Sequence, residues 1–323
     1  MSAFRLARLL GASAAAFLAI TAANAQSAYP SRPVRLIVPY QAGGSTDSVI
    51  RKFAEMAAPK LGQPIIIENK GGAGATMGAQ QIATAKADGY TLAILPSPVF
   101  RMPHIQNVGY DPNKDFTYIM MISGYTLGVA VKQESPYKTW EDLIAAAMKT
   151  PDKITYGTAS LGSASNVMME QIAEQLGVKW RHVPYQGETG VLQAVLGDFV
   201  DVYAGSSTVL PMVNSGKMRM LVTWGSERSK IYPGTRTLQE IDKRILPVYA
   251  PFGVAGPKGL AEDVLARLTA AFKSVVDSDD FKKVLLQYGQ EPVYMDGAMY
   301  AKYASMQYAE EAKIVKQLGL VNK

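Results

Sequence analysis

Short β-branched runs alternate along this chain with longer segments of helical period. Residues 34–38 read as a first strand, and after Gly44 the apolar residues Val49, Ile50, Phe53 and Ala57 fall on one helical face until Gly62 stops it. Residues 65–67 predict a second strand, 77–86 a second helix and 91–95 a third strand, an order that gives a parallel sheet with crossover helices. The scheme resumes further on, with helices over 140–149, 163–176 and 190–196 and strands at 154–156, 182–183, 200–203 and 218–222. Between the two halves, residues 118–131 form a long, nearly uncharged β-prone run, and 248–254 form another. Two long strands flanking a central α/β unit predict a chain that crosses between two lobes twice. The expected division is residues 26–124 and 247–323 for lobe 1 and 125–246 for lobe 2. From Ala261 the tail is helical, with Val264, Leu268, Ala271, Phe272 and Val275 at the right spacing. No solenoid repeat or low-complexity stretch interrupts this pattern.

The first residues stand apart from it. Arg5 and Arg8 precede an uncharged apolar run over residues 9–20, followed by Ala23-Asn24-Ala25, which is the anatomy of a secretory signal peptide. The run is shorter than the ~20 apolar residues of a membrane span. Cleavage after Ala25 and a periplasmic location are expected. The chain has 0 Cys, so disulfides play no part. The formal charge of +6, less the two leader arginines, leaves +4. Its basic residues are scattered among acidic ones without aromatic interleaving, which excludes an obvious nucleic-acid interface.

Two glycine-rich junctions carry the candidate chemistry. Pro39-Tyr40-Gln41-Ala42-Gly43-Gly44-Ser45-Thr46-Asp47 and Tyr156-Gly157-Thr158-Ala159-Ser160-Leu161-Gly162-Ser163-Ala164-Ser165-Asn166 each lie between a strand and a helix. Glycines let backbone amides approach a ligand, and the following helix start presents unpaired N–H groups and positive dipole to an anion. Open α/β sheets place ligands beyond the carboxyl ends of such strands. Tight turns with Ser45 and Ser163 as helix caps are the bland alternative for each loop; recurrence in both lobes favours a shared site. Asp47, in the first helical turn, is by default a dipole-complementing or loop-bracing carboxylate.

Enzymatic patterns fall short. Gly72-Ala73-Gly74-Ala75-Thr76-Met77-Gly78 misses the dinucleotide fingerprint, and packing of Gly74 and Gly78 against the sheet is expected instead. Ser160 is not in a nucleophile elbow, and Ser135-Pro136-Tyr137-Lys138 matches Ser-x-x-Lys without its companion motifs. Only His104 and His182 exist, without further ligands at zinc spacing, and His182 reads as a partly buried structural imidazole. No cofactor, metal or catalytic residue is expected. A hydrolase using Ser160 or Ser163 would need a base that no motif supplies.

The chain resembles the periplasmic substrate-binding proteins of tripartite tricarboxylate transporters, the Bug/TctC family. The matching segments, in order, are Tyr29-Pro30-Ser31-Arg32-Pro33, the loop around Gly43-Gly44, Glu68-Asn69-Lys70-Gly71-Gly72-Ala73-Gly74, Asp88-Gly89-Tyr90-Thr91-Leu92, His182-Val183-Pro184-Tyr185-Gln186-Gly187, Leu196-Gly197-Asp198-Phe199-Val200-Asp201 and Ser215-Gly216-Lys217-Met218-Arg219. The resemblance implies a two-lobed α/β Venus-flytrap fold with two crossing hinge strands. It also implies a small carboxylate held largely by backbone amides and waters, integral-membrane permease subunits as partners, and a monomer. By residue match the ligand groups would be Tyr40, Gly43, Gly44, Ser45, Thr46 and Asp47 in the first lobe, with Ser97. In the second lobe they would be Thr158, Ser160, Gly162, Ser163, Asn166, Tyr185, Gly187, Asp201 and Ser206. Relatives often carry His where Asn166 stands, Lys where Gln186 stands and Trp near Pro251. Two missing cations argue against a highly charged tricarboxylate and leave aliphatic dicarboxylates, aromatic acids and carboxylated amides open. A sensory receptor for a membrane kinase is the alternative output.

Overall fold

The structure is a computed structural model and describes residues 29–245, 247–248 and 250–320. The expected signal segment and its cleavage point lie outside the described residues.

Strands β1 (Val34–Val38), β2 (Ile65–Asn69) and β3 (Thr91–Pro96) pair in parallel with β1 in the middle, where Leu36 faces Ile67 on one side and Leu92 on the other. β4 (Phe116–Tyr125) and the returning β10 (Ala250–Pro257) extend this sheet antiparallel, so that its order is β2-β1-β3-β10-β4, with the two-residue strands β11 (Gln290–Glu291) and β12 (Met295–Asp296) both pairing β4. Helices cover both faces. On one, α1 (Ser45–Leu61) packs with α9 (Glu262–Val276) and α10 (Asp279–Gln287), bringing the rings of Phe272 and Phe281 within 5.1 and 5.6 Å of Phe53. On the other lie α2 (Met77–Thr84), α3 (Pro98–Ile105) and α11 (Gly297–Gln317), around Val99, Phe100 and Tyr300. Buried aromatics of this kind each cost about 3–5 kcal/mol to truncate. Their packing anchors the body of α1 and leaves its amino end to project from the edge of the sheet.

The second sheet has the order β7-β6-β8-β5-β9, from β5 (Leu127–Lys132), β6 (Thr155–Thr158), β7 (Arg181–Pro184), β8 (Val202–Ser206) and β9 (Met218–Thr223). Helices α4 (Trp140–Lys149) and α5 (Ala164–Leu176) cover one face, and α6 (Glu188–Leu196) and α7 (Leu210–Asn214) the other. A short α8 (Leu238–Ile241) lies in the return segment.

The sheets are joined twice, side by side. Only Thr126 separates β4 from β5, so one extended strand runs from the first sheet into the second. The return is stitched to it: the Trp224 N–H donates to Leu127 O at 3.0 Å, Val248 N–H to Trp224 O at 2.9 Å, and Ala250 then pairs with Tyr125. Close approach of these strands demands glycine at position 253, where a Cβ would lie 2.4 Å from Met120 O and 2.5 Å from the Tyr300 ring. The result is the two-lobed α/β fold with paired hinge strands.

Two details differ from the sequence reading. Gly78 does pack on the sheet, with Ala93 Cβ 3.2 Å from where its own Cβ would be, but Gly74 has φ +64 and faces Met102 of α3. The strand expected at 200–203 is Val202–Ser206, which leaves Asp201 just before its amino end.

Candidate functional site

Beyond the carboxyl end of β1 the chain turns through residues 39–44 into α1. Asp47 holds this turn together. Its Oδ2 accepts the Gly43 N–H at 2.8 Å and Arg51 Nε at 3.0 Å, and its Oδ1 accepts Asn69 Nδ2 at 2.8 Å. The same Asn69 amide donates to Tyr40 O at 3.1 Å, tying the loop to the end of β2. Burial alone would raise the Asp47 pKa, but hydrogen bonds from Arg51, the Gly43 amide and Asn69 outweigh it and hold the group below its ordinary value of 3.8. Asp47 is only 3% exposed, so its carboxylate serves the loop as a brace. Thr46 Oγ1 lies 2.5 Å from the Tyr125 hydroxyl at the hinge, and Ser45 Oγ donates to Tyr288 O at 2.7 Å. Neither caps the helix. The N-cap of α1 is Gly44 and no side chain bonds its first amides, which leaves the positive end of a 17-residue helix available to an anion.

The second-lobe loop follows β6 in the same way. Asn166 Oδ1 accepts the Gly162 N–H at 2.9 Å, while its Nδ2 donates to the Tyr156 hydroxyl at 3.0 Å. Ser163 caps α5, its Oγ accepting Asn166 N–H at 3.2 Å. Thr158 Oγ1 donates to Ser160 O at 2.9 Å and lies 2.7 Å from His182 Nε2. The His182 ring stacks on Tyr156 at 4.9 Å, and burial lowers its pKa to about 4. It is therefore neutral at physiological pH and its bond goes to Thr158, not to Ser160 or Ser163. The turn after β7 is knitted to this loop by Tyr185 N–H to Thr158 O and Gly187 N–H to Ala159 O, both 2.9 Å. Gly187 leads into Glu188, whose carboxylate accepts Ser206 N–H at 2.8 Å, Ser206 Oγ at 2.5 Å and the Tyr203 hydroxyl at 2.7 Å.

Both lobes thus present strand-to-helix loops at the carboxyl ends of their parallel strands. Tyr40 and residues 43–47 gather on the first, and Thr158, Ser160, Gly162, Ser163, Asn166, Tyr185, Gly187 and Ser206 on the second. Ser97, at the carboxyl end of β3, is 7% exposed, and its hydroxyl has no hydrogen-bond partner. Asp201 is not brought to this rim. It lies at the opposite, amino end of β8, where its Oδ2 accepts the Thr155 N–H at 2.8 Å and hydroxyl at 2.7 Å.

The lobes touch on both flanks of the cleft. On one, Ser207 Oγ donates to Gly289 O, and Ser229 Oγ donates to Glu291 Oε1 at 2.6 Å. On the other, Arg101 of α3 donates from Nη1 to Gly162 O at 2.6 Å, and Gln317 Nε2 to Glu174 Oε2 at 2.7 Å. Beside the Arg101 contact a cavity of about 480 Å³ opens between α5, α11 and the return segment at Pro247 and Val248, and of the anticipated ligand residues only Ser97 lines it. Arg101, Glu188 and Glu311 belong to no motif and escape a reading by sequence. Among the described residues no cluster of three or more His, Asp or Glu side chains could hold a metal ion.

This architecture has close counterparts. The periplasmic binding protein BugD superposes with a TM-score of 0.83 at 28% identity, covering 91% of this chain and 100% of that one. A Rhodopseudomonas palustris protein solved with adipate gives 0.84 at 26% identity, over 90% and 98% of the two chains. MatC from the same organism, solved with bound malate, gives 0.78 at 27%, over 89% and 100%. In sequence, the Cupriavidus necator protein named for the gbd 5' region is 39% identical over 315 residues, 97% of this chain and 96% of its own. The model of the tripartite tricarboxylate transporter family receptor matches residues 49–320, and with fold, loops and relatives in agreement the chain belongs to that family of periplasmic solute-binding proteins.

Proposed function

We propose that this protein is a periplasmic receptor that captures a small mono- or dicarboxylate between its lobes and delivers it unchanged to the permease subunits of a tripartite transporter. The observation that carries the reading is the amino end of α1. A 17-residue helix starts at Gly44 with no capping side chain, facing the cleft, and its loop is braced by a carboxylate that is itself fully engaged. Such an end rewards a full anionic charge supplied by a ligand. The second-lobe amides of residues 159–161 and the unpartnered hydroxyl of Ser97 complete the proposed set. Asp47, Gly162 and Asn166 shape the loops in this scheme. Relatives solved with adipate and malate support the ligand class, and the family supports a periplasmic location; a leader that ends at Ala25 is part of the proposal.

A thermal-shift comparison of adipate and malate with their dimethyl esters tests the reading. A ligand at a hundred times its dissociation constant stabilises the folded state by about 2.7 kcal/mol, a rise of roughly several degrees for a chain of this size. The acids should raise the melting temperature and the esters should not, and the acid should be recovered unaltered after long incubation. Gly44→Val should abolish the response. Residue 44 has φ −76, and the nearest atom to an added Cβ is Gln41 O at 3.8 Å, so the backbone admits a Cβ there, and the branched side chain would occupy the proposed ligand space. Equal stabilisation by acid and ester, or turnover of the acid, would overturn the assignment.

A further inference from the structure

The ion pair between Arg101 and Glu311 is unlike the others in the molecule. Among those of the described residues it is the one in which both side chains are almost wholly buried, at 4% and 5% exposure. Arg101 Nε and Nη2 each donate to a different oxygen of Glu311 at 2.6 Å, a bidentate arrangement that fixes the guanidinium plane. Both residues belong to the first lobe, on α3 and α11. The charge is therefore compensated within one lobe, whatever the position of the other.

One nitrogen remains. Nη1 points across the cleft and donates at 2.6 Å to the carbonyl oxygen of Gly162, in the loop that the second lobe offers to the ligand. Gly162 is prepared for this contact. Its φ of +69 turns the peptide into the left-handed region that favours glycine, and its N–H is held by Asn166 at 2.9 Å. A buried donor on a cation is costly to leave unsatisfied. In the closed form the Gly162 carbonyl satisfies it, and when the lobes part only water can. The contacts on the opposite flank, from Ser207 and Ser229, come from neutral hydroxyls, and neither donor is a cation with a counter-charge behind it.

We propose that Arg101, positioned by Glu311, is a latch that couples filling of the cleft to its closure by seizing the Gly162 carbonyl of the second-lobe loop. The inference rests on the receptor reading above for what drives closure, but the latch itself can be tested with or without ligand. The pair forms part of the wall of the cavity between α5 and α11, so shorter side chains there leave space and create no clash.

Since the chain has 0 Cys, spin labels can be placed on Lys86→Cys in the first lobe and Lys149→Cys in the second, both exposed, and inter-lobe distances read by double electron–electron resonance. Measurements are made ligand-free, with adipate and with malate, on the parent chain, on Arg101→Gln and on Arg101→Gln/Glu311→Gln. The double variant removes the carboxylate that the single one strands. It should recover most of the melting temperature while the short-distance population stays several-fold below that of the parent. Whichever acid binds should leave the double variant about tenfold faster, the loss expected for one charge-assisted hydrogen bond. Distances and release rates that return to parental values along with the melting temperature would make the pair purely structural and overturn the latch. So would a parent chain whose distance stays unchanged with an acid that does raise its melting temperature. If neither acid stabilises the parent chain, the receptor reading fails separately, and the ligand-free distances still decide the latch.

Discussion

The two loops that face each other across the cleft share a plan and differ in what holds them. In the first lobe Gly43, with φ +83, gives its N–H to the side chain four residues on, Asp47, at 2.8 Å. In the second, Gly162 with φ +69 does the same toward Asn166 at 2.9 Å. The geometry is repeated with a charged acceptor in one lobe and a neutral amide in the other. Asp47 also draws in Arg51 and Asn69, so the first loop is complete within its own lobe. Asn166 reaches only Tyr156, and the second loop receives its charged contact from Arg101 across the cleft. A self-sufficient loop makes a platform, and a loop finished by the other lobe makes a clamp.

Removing the two acceptors separates these roles most sharply. Asp47→Ala leaves the Gly43 amide and the Arg51 and Asn69 donors without their acceptor, and hydrogen bonds to charged groups contribute about 1.5–3 kcal/mol. Urea unfolding should show a loss near the top of that range, together with loss of the acid-induced thermal shift. Asn166→Ala breaks neutral bonds and should cost about 1–2 kcal/mol, with a smaller thermal shift that persists. Equal losses in the two variants, or a larger one for Asn166→Ala, would break the distinction between platform and clamp.

How far this was legible beforehand depends on whether the cause is local. The α1 face is readable because Val49, Ile50, Phe53 and Ala57 recur at helical spacing, and all four are fully buried. The helix expected over 140–149 is Trp140–Lys149, begun by a capping box between Thr139 and Asp142. By contrast α3 hides behind Pro98 and Pro103, although Pro98 occupies the first turn, where its missing N–H costs nothing. Arg101 sits in that hidden helix, and its partners are 61 and 210 residues away, so no spacing rule reaches them. Two-residue strands such as β11 carry no period to read. Asp201 is named as a ligand group by the resemblance alone, and β8 begins just after it, at the edge of the sheet far from the ligand loops.

Acid should reveal the same distinction as a smaller effect. His182, beside the second loop, has its pKa lowered from 6.5 to about 4 by burial against Tyr156. Between those values the unfolded chain binds a proton that the folded one refuses, so stability falls as pH drops from 6.5 toward 4. Asp47 runs on a different scale. Held below 3.8, it contributes stability that is present above that value and is lost only as pH falls further. From pH 7 down to about 4 the clamp should therefore weaken while the platform does not. After allowance for the ring's partial exposure the cost is roughly 1 kcal/mol. His182→Gln, which keeps a group able to bond Thr158, should flatten this part of the pH profile in urea unfolding at pH 7, 5.5 and 4.5. Amide hydrogen exchange locates the effect: at pH 4.5 it should accelerate in β6, β7 and residues 158–163 of the parent chain, and much less in the variant. Earlier exchange in residues 43–47 than in β6 would place the acid-sensitive element in the first lobe and reverse the comparison.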